Sequence, residues 1–335
     1  MTQTYQNFGV IGAGAWGTAL AQSLAIGGRD VTLWAYEEDV VQSINDTHVN
    51  QTYLAEAKLS SKIKATTDLQ SLTQCDALLS VVPAQHTRQT LSRLSDNQAL
   101  NGKPVILCSK GIEIATQEFM SDVLSETLPQ VIPAVLSGPS FAIDVAKGLP
   151  AAVTLACEDE TIGKGLVKAV AAPMFRPYLS TDVLGAEIGG AVKNVLAIAC
   201  GMVLGMGLGR SAHAAIIARG FAEMRRLGMS LGCESETLTG LCGMGDLVLT
   251  CSSEQSRNMS CGLALGQGKN LQDIMASRNS VTEGVATAPA LRQMAERQDV
   301  DMPISTAVAD ILAGKLDVQN ALTNLLSRDY KTEVQ

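Results

Sequence analysis

Aromatic residues are scarce in this chain, at 4% of 335 residues, which argues against an aromatic-studded recognition surface and for packing through small aliphatic side chains. Basic residues are in the minority: 25 Lys and Arg stand against 33 Asp and Glu, a net charge of −8. Binding nucleic acid through bulk electrostatics needs a basic face, so no nucleic-acid partner is expected. The 3 histidines, His48, His86 and His213, fall at no metal-ligand spacing, so no metal site is expected. The 8 cysteines, at 75, 108, 157, 200, 233, 242, 251 and 261, include no CxxC pair and read as reduced, buried thiols of a cytoplasmic protein. The opening MTQTYQNFGV has neither a basic n-region nor an apolar run, so no secretory leader is expected. One apolar run, Ile188 to Gly207, has the length of a membrane span, but it carries Lys193 and Asn194. A lysine at mid-span costs roughly 2.5–3.5 kcal/mol, so a buried soluble helix is the expectation there.

What is present is ample material for a core, with 46% hydrophobic and 17% charged residues. A single core seldom grows past about 250–300 residues, so the length predicts two domains. Aliphatic and β-branched runs at Phe8–Ile11, Val31–Trp34, Ala77–Val82, Pro104–Cys108, Ala134–Ser137 and Ala152–Ala156 read as strands covered on both faces, with an edge strand at Phe175–Leu179. Helical patterns such as Thr18–Ile26 and Gln117–Thr127 lie between them. That alternation predicts an α/β fold, an N-terminal Rossmann-type doubly wound parallel sheet. From about Glu187 the strand signal vanishes, and helical periods follow at 187–205, 212–231, 234–241, 257–267, 271–276, 283–297 and 305–325. The expected division is a dinucleotide-binding domain over 1–186 and an all-helical substrate and catalytic domain over 187–335, packed directly with a cleft between them.

The stretch GVIGAGAWGTALAQSL sets Gly12, Gly14 and Gly17 between the first strand and the first helix. Spacing alone is a weak signal in a chain with 30 glycines, but the strand–turn–helix context is what a dinucleotide fingerprint requires. Gly12 permits the tight turn, Gly14 lets backbone approach a pyrophosphate, Gly17 allows close helix–strand packing, and the helix N-terminus offers free N–H groups to the anion. The second strand ends Leu33-Trp34-Ala35-Tyr36, with acids only at Glu37 and Glu38 and no arginine for a 2′-phosphate. NAD and NADP both remain open.

In an open α/β sheet ligands collect beyond the carboxyl ends of the strands. Lys110 follows one such end in CSKGIE, and Ser137-Gly-Pro-Ser-Phe-Ala142 follows the next, presenting backbone N–H groups and Ser140 to the same crevice. An ordinary loop lysine and a plain turn are the bland alternatives. Lys193 sits at helical spacing from Ala186, Gly189, Gly190, Ala197 and Cys200, a stripe that another body can approach closely. Burial there lowers a lysine's pKa and suits it to exchange a proton with a substrate oxygen; a snorkelling or salt-bridged lysine is the alternative. Further on, GMGDLVLTC places Asp246, which reads equally as a helix cap, and QSRN places Ser256, Arg257 and Asn258, a set suited to a phosphate, although a lone arginine is more often a solvated charge.

Taken in order, GVIGAGAWGTALA, SVVPAQ, SKGIE, SGPSFAIDVAKGLP, GGAVKNVLAIACG, GMGDLVLTC, QSRN and VTEG cover nearly the whole chain, and in that order and spacing the sequence resembles the NAD(P)-dependent glycerol-3-phosphate dehydrogenases of bacteria. The resemblance implies a homodimeric enzyme that interconverts dihydroxyacetone phosphate and sn-glycerol 3-phosphate for phospholipid synthesis. It implies that Lys193 is the proton donor and acceptor and that Lys110 lies between cofactor and substrate. It also implies that Gly138, Ser140, Asp246, Ser256, Arg257 and Asn258 line the substrate site, with Ala142, Arg257, Val281 and Glu283 on the cofactor side. Ala15 and Trp16 fall where the family contacts the pyrophosphate, often through a serine, and Tyr36 stands where many members carry Arg or His. Two rival readings are a dehydrogenase of another small hydroxy or keto acid and a non-catalytic dinucleotide sensor.

Overall fold

The computed structural model describes residues 4–277, 281–329 and 332. Its strands are β1 (Asn7–Ile11), β2 (Asp30–Trp34), β3 (Ile63–Thr66), β4 (Ala77–Ser80), β5 (Pro104–Leu107), β6 (Ile132–Ser137), β7 (Ala151–Ala156) and β8 (Phe175–Ser180). They form one 8-stranded sheet in the order β3-β2-β1-β4-β5-β6-β7-β8. Helices α1 (Ala15–Ile26), α2 (Glu38–Thr47), α3 (Ala84–Ser92), α4 (Met120–Thr127), α5 (Ala142–Ala146) and α6 (Glu160–Val170) lie among the strands. Every residue of β4 and β5 is buried, which is why their sequences ALLS and PVIL show no alternation.

Two features of the sheet depart from the sequence reading. The edge strand β3 (IKAT) is too short and too polar to have been read from the sequence, and it forms only by pairing with β2. The sheet is also not parallel throughout, because β7 runs antiparallel to β6. The connection between them holds a five-residue helix of about 7 Å, far short of the ~20 Å length of a six-residue strand. The chain therefore re-enters the sheet from the edge it has just left.

The rest of the chain is helical: α7 (Val183–Gly205), α8 (Gly209–Ser230), α9 (Ser235–Thr239), α10 (Asp246–Ser252), α11 (Arg257–Gly266), α12 (Leu271–Ala276), α13 (Glu283–Arg297), α14 (Pro303–Leu312) and α15 (Val318–Leu326). Helix α7 begins four residues before the expected Glu187, because the Asp182 carboxylate accepts the Gly185 N–H at 2.7 Å and caps it. Among the described residues it is the one helix long and apolar enough to cross a membrane, and 89% of that stretch is buried inside the protein. Its burial is completed by α11 at backbone distance. A Cβ on Gly201 would stand 2.0 Å from the Met259 carbonyl oxygen, and one on Gly262 1.9 Å from that of Ile198. The helix expected over 305–325 is two, broken at Gly314 (φ 69°), with Asp317 capping the second. Likewise the helix expected from Gln117 begins at Met120, since Gln117 is left-handed at φ 64°.

The two halves share their cores. Ile112 and Phe119 of the first half are buried in the helical core, and Val183, Ala186 and Cys242 of the second are buried against the sheet. All eight cysteines are free and buried, as their apolar settings led us to expect.

Candidate active site

At the carboxyl end of β1 the chain turns through Gly12 at φ 111°, and Gly14 begins α1 with no side-chain cap. A Cβ at Gly17 would stand 1.8 Å from the Gly12 carbonyl oxygen, so only glycine permits this approach of helix to strand. At Gly14, by contrast, nothing lies within 4 Å of a Cβ position, leaving open space beside an uncapped helix N-terminus. Ala15 and Trp16 start that helix, and Trp16 Nε1 is buried with no hydrogen-bond partner. Asn50 braces the turn from behind, its Nδ2 donating to the Ala13 carbonyl and to Thr18 Oγ1, each at 2.8 Å. An open, donor-rich cradle with an unsatisfied indole N–H fits the pyrophosphate of a dinucleotide. At the end of β2, Tyr36 is 79% exposed, edge-on to Trp34, and Glu37 accepts the Tyr53 hydroxyl at 2.8 Å.

The chemistry-bearing groups meet at the next strand ends along the sheet. Lys193, in the middle of α7, is 7% exposed; its ammonium donates to Asp246 Oδ1 at 3.0 Å and to Thr250 Oγ1 at 2.8 Å. Lys110, just past β5, donates to Asp246 Oδ2 at 2.7 Å and to the Gly138 carbonyl at 3.1 Å. Asp246 lies in the first turn of α10 and is 1% exposed. Two ammonium groups thus share one carboxylate, and each, having three donors, keeps one N–H for a ligand. Burial lowers the Lys193 pKa to about 8; the Asp246 carboxylate opposes this and the Lys110 ammonium adds to it. For Asp246, burial pushes the pKa up, but the two ammonium groups outweigh it and hold the carboxyl below its ordinary value. The net charge of the trio is positive in a buried place, which suits a ligand that is anionic or becomes so during reaction.

Around this trio the structure arranges most of the other expected residues. Ser140 Oγ donates to the same Gly138 carbonyl at 3.1 Å. Asn258 is joined through Asn194: Asn258 Nδ2 donates to Asn194 Oδ1 at 2.9 Å, Asn194 Nδ2 donates to the Lys110 carbonyl at 2.8 Å, and Asn258 Oδ1 accepts the Gly284 N–H at 2.9 Å. Ser256 caps α11, its Oγ accepting the Met259 N–H at 3.2 Å, and Arg257 is the first residue of that helix. Glu283, at the start of α13, accepts the Ala84 N–H at 3.3 Å and so reaches across to the first turn of α3. The glycine turn, Tyr36, Ala142 at the start of α5 and the 43% exposed Val281 make no direct hydrogen bond to the Lys193 trio in the structure. Two residues of the cluster were missed in the sequence. Thr250 stands four residues after Asp246 on one helix, a spacing that placed it on the same face. Asn194 adjoins Lys193 and had no local signal, since its partners are 64 and 84 residues distant.

The family model described as the NAD-dependent glycerol-3-phosphate dehydrogenase N-terminus matches residues 7–163, and its C-terminus counterpart matches residues 182–323. The chain belongs to this family. A curated relative from Maricaulis maris, named glycerol-3-phosphate dehydrogenase (NAD(P)+), is 60% identical over 98% of each chain. The crystal structure of glycerol-3-phosphate dehydrogenase from Coxiella burnetii superposes with a TM-score of 0.91 at 38% identity, covering 97% of this chain and 99% of that one. A D-mandelate dehydrogenase complex with NADH reaches a TM-score of 0.62 at 14% identity over 92% of this chain and 98% of that one, a likeness of fold alone. Membership of an oxidoreductase family leaves the reading as a non-catalytic sensor without support.

Proposed function

We propose that the Lys193–Asp246–Lys110 trio is the catalytic centre of an NAD(P)-dependent oxidoreductase that interconverts dihydroxyacetone phosphate and glycerol 3-phosphate, an activity that feeds phospholipid synthesis. The observation that carries this reading is the buried lysine with a pKa of about 8, bonded to a carboxylate and a threonine at the carboxyl edge of a dinucleotide-type sheet. Gly12, Gly14, Ala15, Trp16 and Gly17 would hold the cofactor's pyrophosphate, with Tyr36 at its adenosine end and Ala142, Val281 and Glu283 towards the remainder. The chemistry that a nicotinamide held there would supply is reversible hydride transfer with the substrate carbon.

Charge then assigns the roles of the chain's own groups. Negative charge grows on the carbonyl oxygen during reduction, and Lys193 donates a proton to it through its remaining N–H. Asp246 and Thr250 keep the amine aimed and accept its hydrogen bonds. Lys110 adds a second positive group beside the same oxygen and also serves the phosphate. Arg257, the Ser256 hydroxyl, the spare Asn258 Nδ2 hydrogen and the α11 N-terminus take the phosphate, with Gly138 and Ser140 closing the substrate site. Binding energy from that distant group is thereby spent on orientation at the reacting carbon.

Lys193→Ala is expected to leave NAD(P)H affinity intact and to lower kcat by 10²-fold or more, as general acid–base contributions usually do. Wild-type turnover in that variant, followed as NAD(P)H absorbance with dihydroxyacetone phosphate, removes Lys193 from the mechanism. Equal kcat/KM for unphosphorylated dihydroxyacetone removes the phosphate site. A division near residue 186, a cytoplasmic location and a homodimer complete the proposal, the last two resting on the resemblance and the reduced cysteines. Light scattering at about twice 35.1 kDa is the expected mass.

A further inference from the structure

The loop that delivers Lys110 is fastened by two side chains of α3 to which the reaction assigns no part. Gln85 pairs with its backbone on both sides of Glu113: Nε2 donates to the Ile112 carbonyl at 2.7 Å, and Oε1 accepts the Ile114 N–H at 3.0 Å. One turn further along α3, Arg88 forks the Glu113 carboxylate, with Nε 3.0 Å from both oxygens and Nη2 2.9 Å from Oε2. Its remaining donors reach Glu118 at 2.8 Å and Glu126 at 2.6 Å. Glu113 is 6% exposed and also accepts the Thr116 hydroxyl at 2.7 Å. The Arg88 hydrogen bond overcomes burial and holds the Glu113 carboxyl below its ordinary pKa. Residues 112, 113 and 114 are therefore each tied to α3, two to four positions after Lys110.

The opposite flank of the loop is tied to the helical half. The Ile112 side chain is fully buried in the helical core, and the Lys110 carbonyl accepts from Asn194. Between these ties Gly111 has no slack, since a Cβ there would stand 2.8 Å from that of Ala84. Exposed ion pairs contribute little to stability, but a bidentate guanidinium on a buried carboxylate fixes geometry, and the geometry fixed here is the path from β5 to Lys110.

We propose that Gln85 and Arg88 are positioning residues for the reaction, holding the 110–114 loop so that Lys110 keeps its ammonium on Asp246 and its spare N–H towards the substrate. The inference rests on the role given to Lys110 above. It has a consequence that a merely structural role lacks. The groups facing the Lys193 amine are Lys110 from the β5 loop and Asp246 and Cys251 from α10, and of these Lys110 pushes its pKa down. When Lys110 recedes, that repulsion weakens and Asp246 is left to Lys193 alone, so the Lys193 pKa rises.

The test compares Lys110→Met, Gln85→Met, Arg88→Met, Arg88→Lys and the double variants carrying Lys110→Met, in the intact enzyme, by the pH profile of kcat/KM for dihydroxyacetone phosphate reduction. Lys110→Met is expected to lose about 10²-fold and to move the alkaline limb to higher pH. Gln85→Met and Arg88→Met are expected to lose about tenfold, as displacements of under an ångström do, with the limb moved the same way. NADH affinity by fluorescence should stay within about twofold, and Arg88→Lys should recover part of the loss. In the Lys110→Met background neither α3 substitution should cost more, because both act through the group already removed. Losses that add fully in that background, or an unmoved alkaline limb, overturn the inference. Wild-type kcat/KM in Lys110→Met alone overturns the role of Lys110 itself and is read separately. Should Arg88→Met fail to fold, the uncharged Gln85→Met decides the matter.

Discussion

Asp246→Asn is the substitution that tests the electrostatics of the trio most directly. It keeps the shape of the side chain and removes the charge that holds two ammonium groups together. Lys193 stands 3.0 Å from the carboxylate, and at an effective dielectric constant near 20 two unit charges at that separation attract by about 5 kcal/mol. A pKa change of one corresponds to about 1.36 kcal/mol, so even a quarter of that attraction lowers the Lys193 pKa by about one, and the uncompensated Lys110 ammonium pushes in the same direction. The Lys193 pKa starts at about 8. In the proposed mechanism ketone reduction needs the protonated amine, so its rate should fall as pH rises through that value, and in the variant the fall should begin earlier. With a pKa near 7 the variant would hold about 9% of its lysine protonated at pH 8 against about 50% in the parent, and ~1% against ~9% at pH 9. The assay is kcat/KM for dihydroxyacetone phosphate from pH 6 to 9.5, which reports groups of the free enzyme. The ratio of variant to parent cancels the titration of the substrate's own phosphate. With the pKa lowered from about 8 to about 7, that ratio is expected to decline close to tenfold between pH 6 and 9. A ratio constant over that range refutes the argument, because the carboxylate would then have no hold on the proton of Lys193.

Further outcomes follow from the cradle and from buried carboxyls remote from it. Gly14→Ala should leave the melting temperature nearly unchanged, since its φ of −64° suits alanine and nothing lies within 4 Å of the new methyl, yet raise the Kd for NADH by tenfold or more, about 1.4 kcal/mol; unaltered affinity would show that no ligand comes close there. Gly17→Ala should weaken both, because its methyl meets the Gly12 carbonyl oxygen at 1.8 Å. Burial raises the Glu187 carboxyl to about 7 while it accepts the Ser121 N–H and hydroxyl at 2.9 and 2.6 Å. A folded-state pKa above the unfolded value of about 4.3 means that the native chain binds the extra proton, so this group's contribution is fully present below pH ~4 and is lost as pH rises towards 7, by about 3 kcal/mol. Glu187→Gln should flatten the dependence of the urea midpoint on pH between 5 and 7, and an unchanged slope in that variant counts against it.

How much of this was legible in the sequence depends on whether the determining contact is local. The first strand, the glycine turn and α1 are consecutive, so GVIGAGAWG contained the local structure and suggested its proposed use. Lys193 could be singled out because a lysine in an apolar helix needs a partner, and Lys110 and Gly138 because they end strands of the sheet. The partners themselves were not legible: Asp246 is 53 residues from Lys193 and 136 from Lys110, and GMGD read alone is also a helix cap. Thr250 was within reach through its helical spacing from Asp246. The antiparallel β7 was missed because its direction follows from the length of a connecting helix, which apolar periodicity does not report. Gln85 and Glu113 stand in SVVPAQ and SKGIE, but the clamp that Gln85 and Arg88 make escaped notice as Asn194 did, since its partners lie 25 to 38 residues away.

The composition of α7 links fold and chemistry. A 23-residue helix rich in glycine and alanine passes for a membrane span because its hydropathy is high, and its burial here needs no membrane, because Gly201 and Gly262 let α11 approach at backbone distance. That approach does two things at once. It encloses α7, and enclosure is the largest cause of the lowered Lys193 pKa, without which the amine would hold its proton too firmly to exchange it near neutral pH. It also fixes where α11 begins, and α11 begins with Ser256, Arg257 and Asn258. The group proposed to exchange the proton and the groups proposed to hold the phosphate are therefore positioned by a single helix crossing. A side chain larger than glycine at Gly201 or Gly262 should weaken substrate binding and shift the alkaline limb together, although neither residue touches the substrate in the proposed reaction.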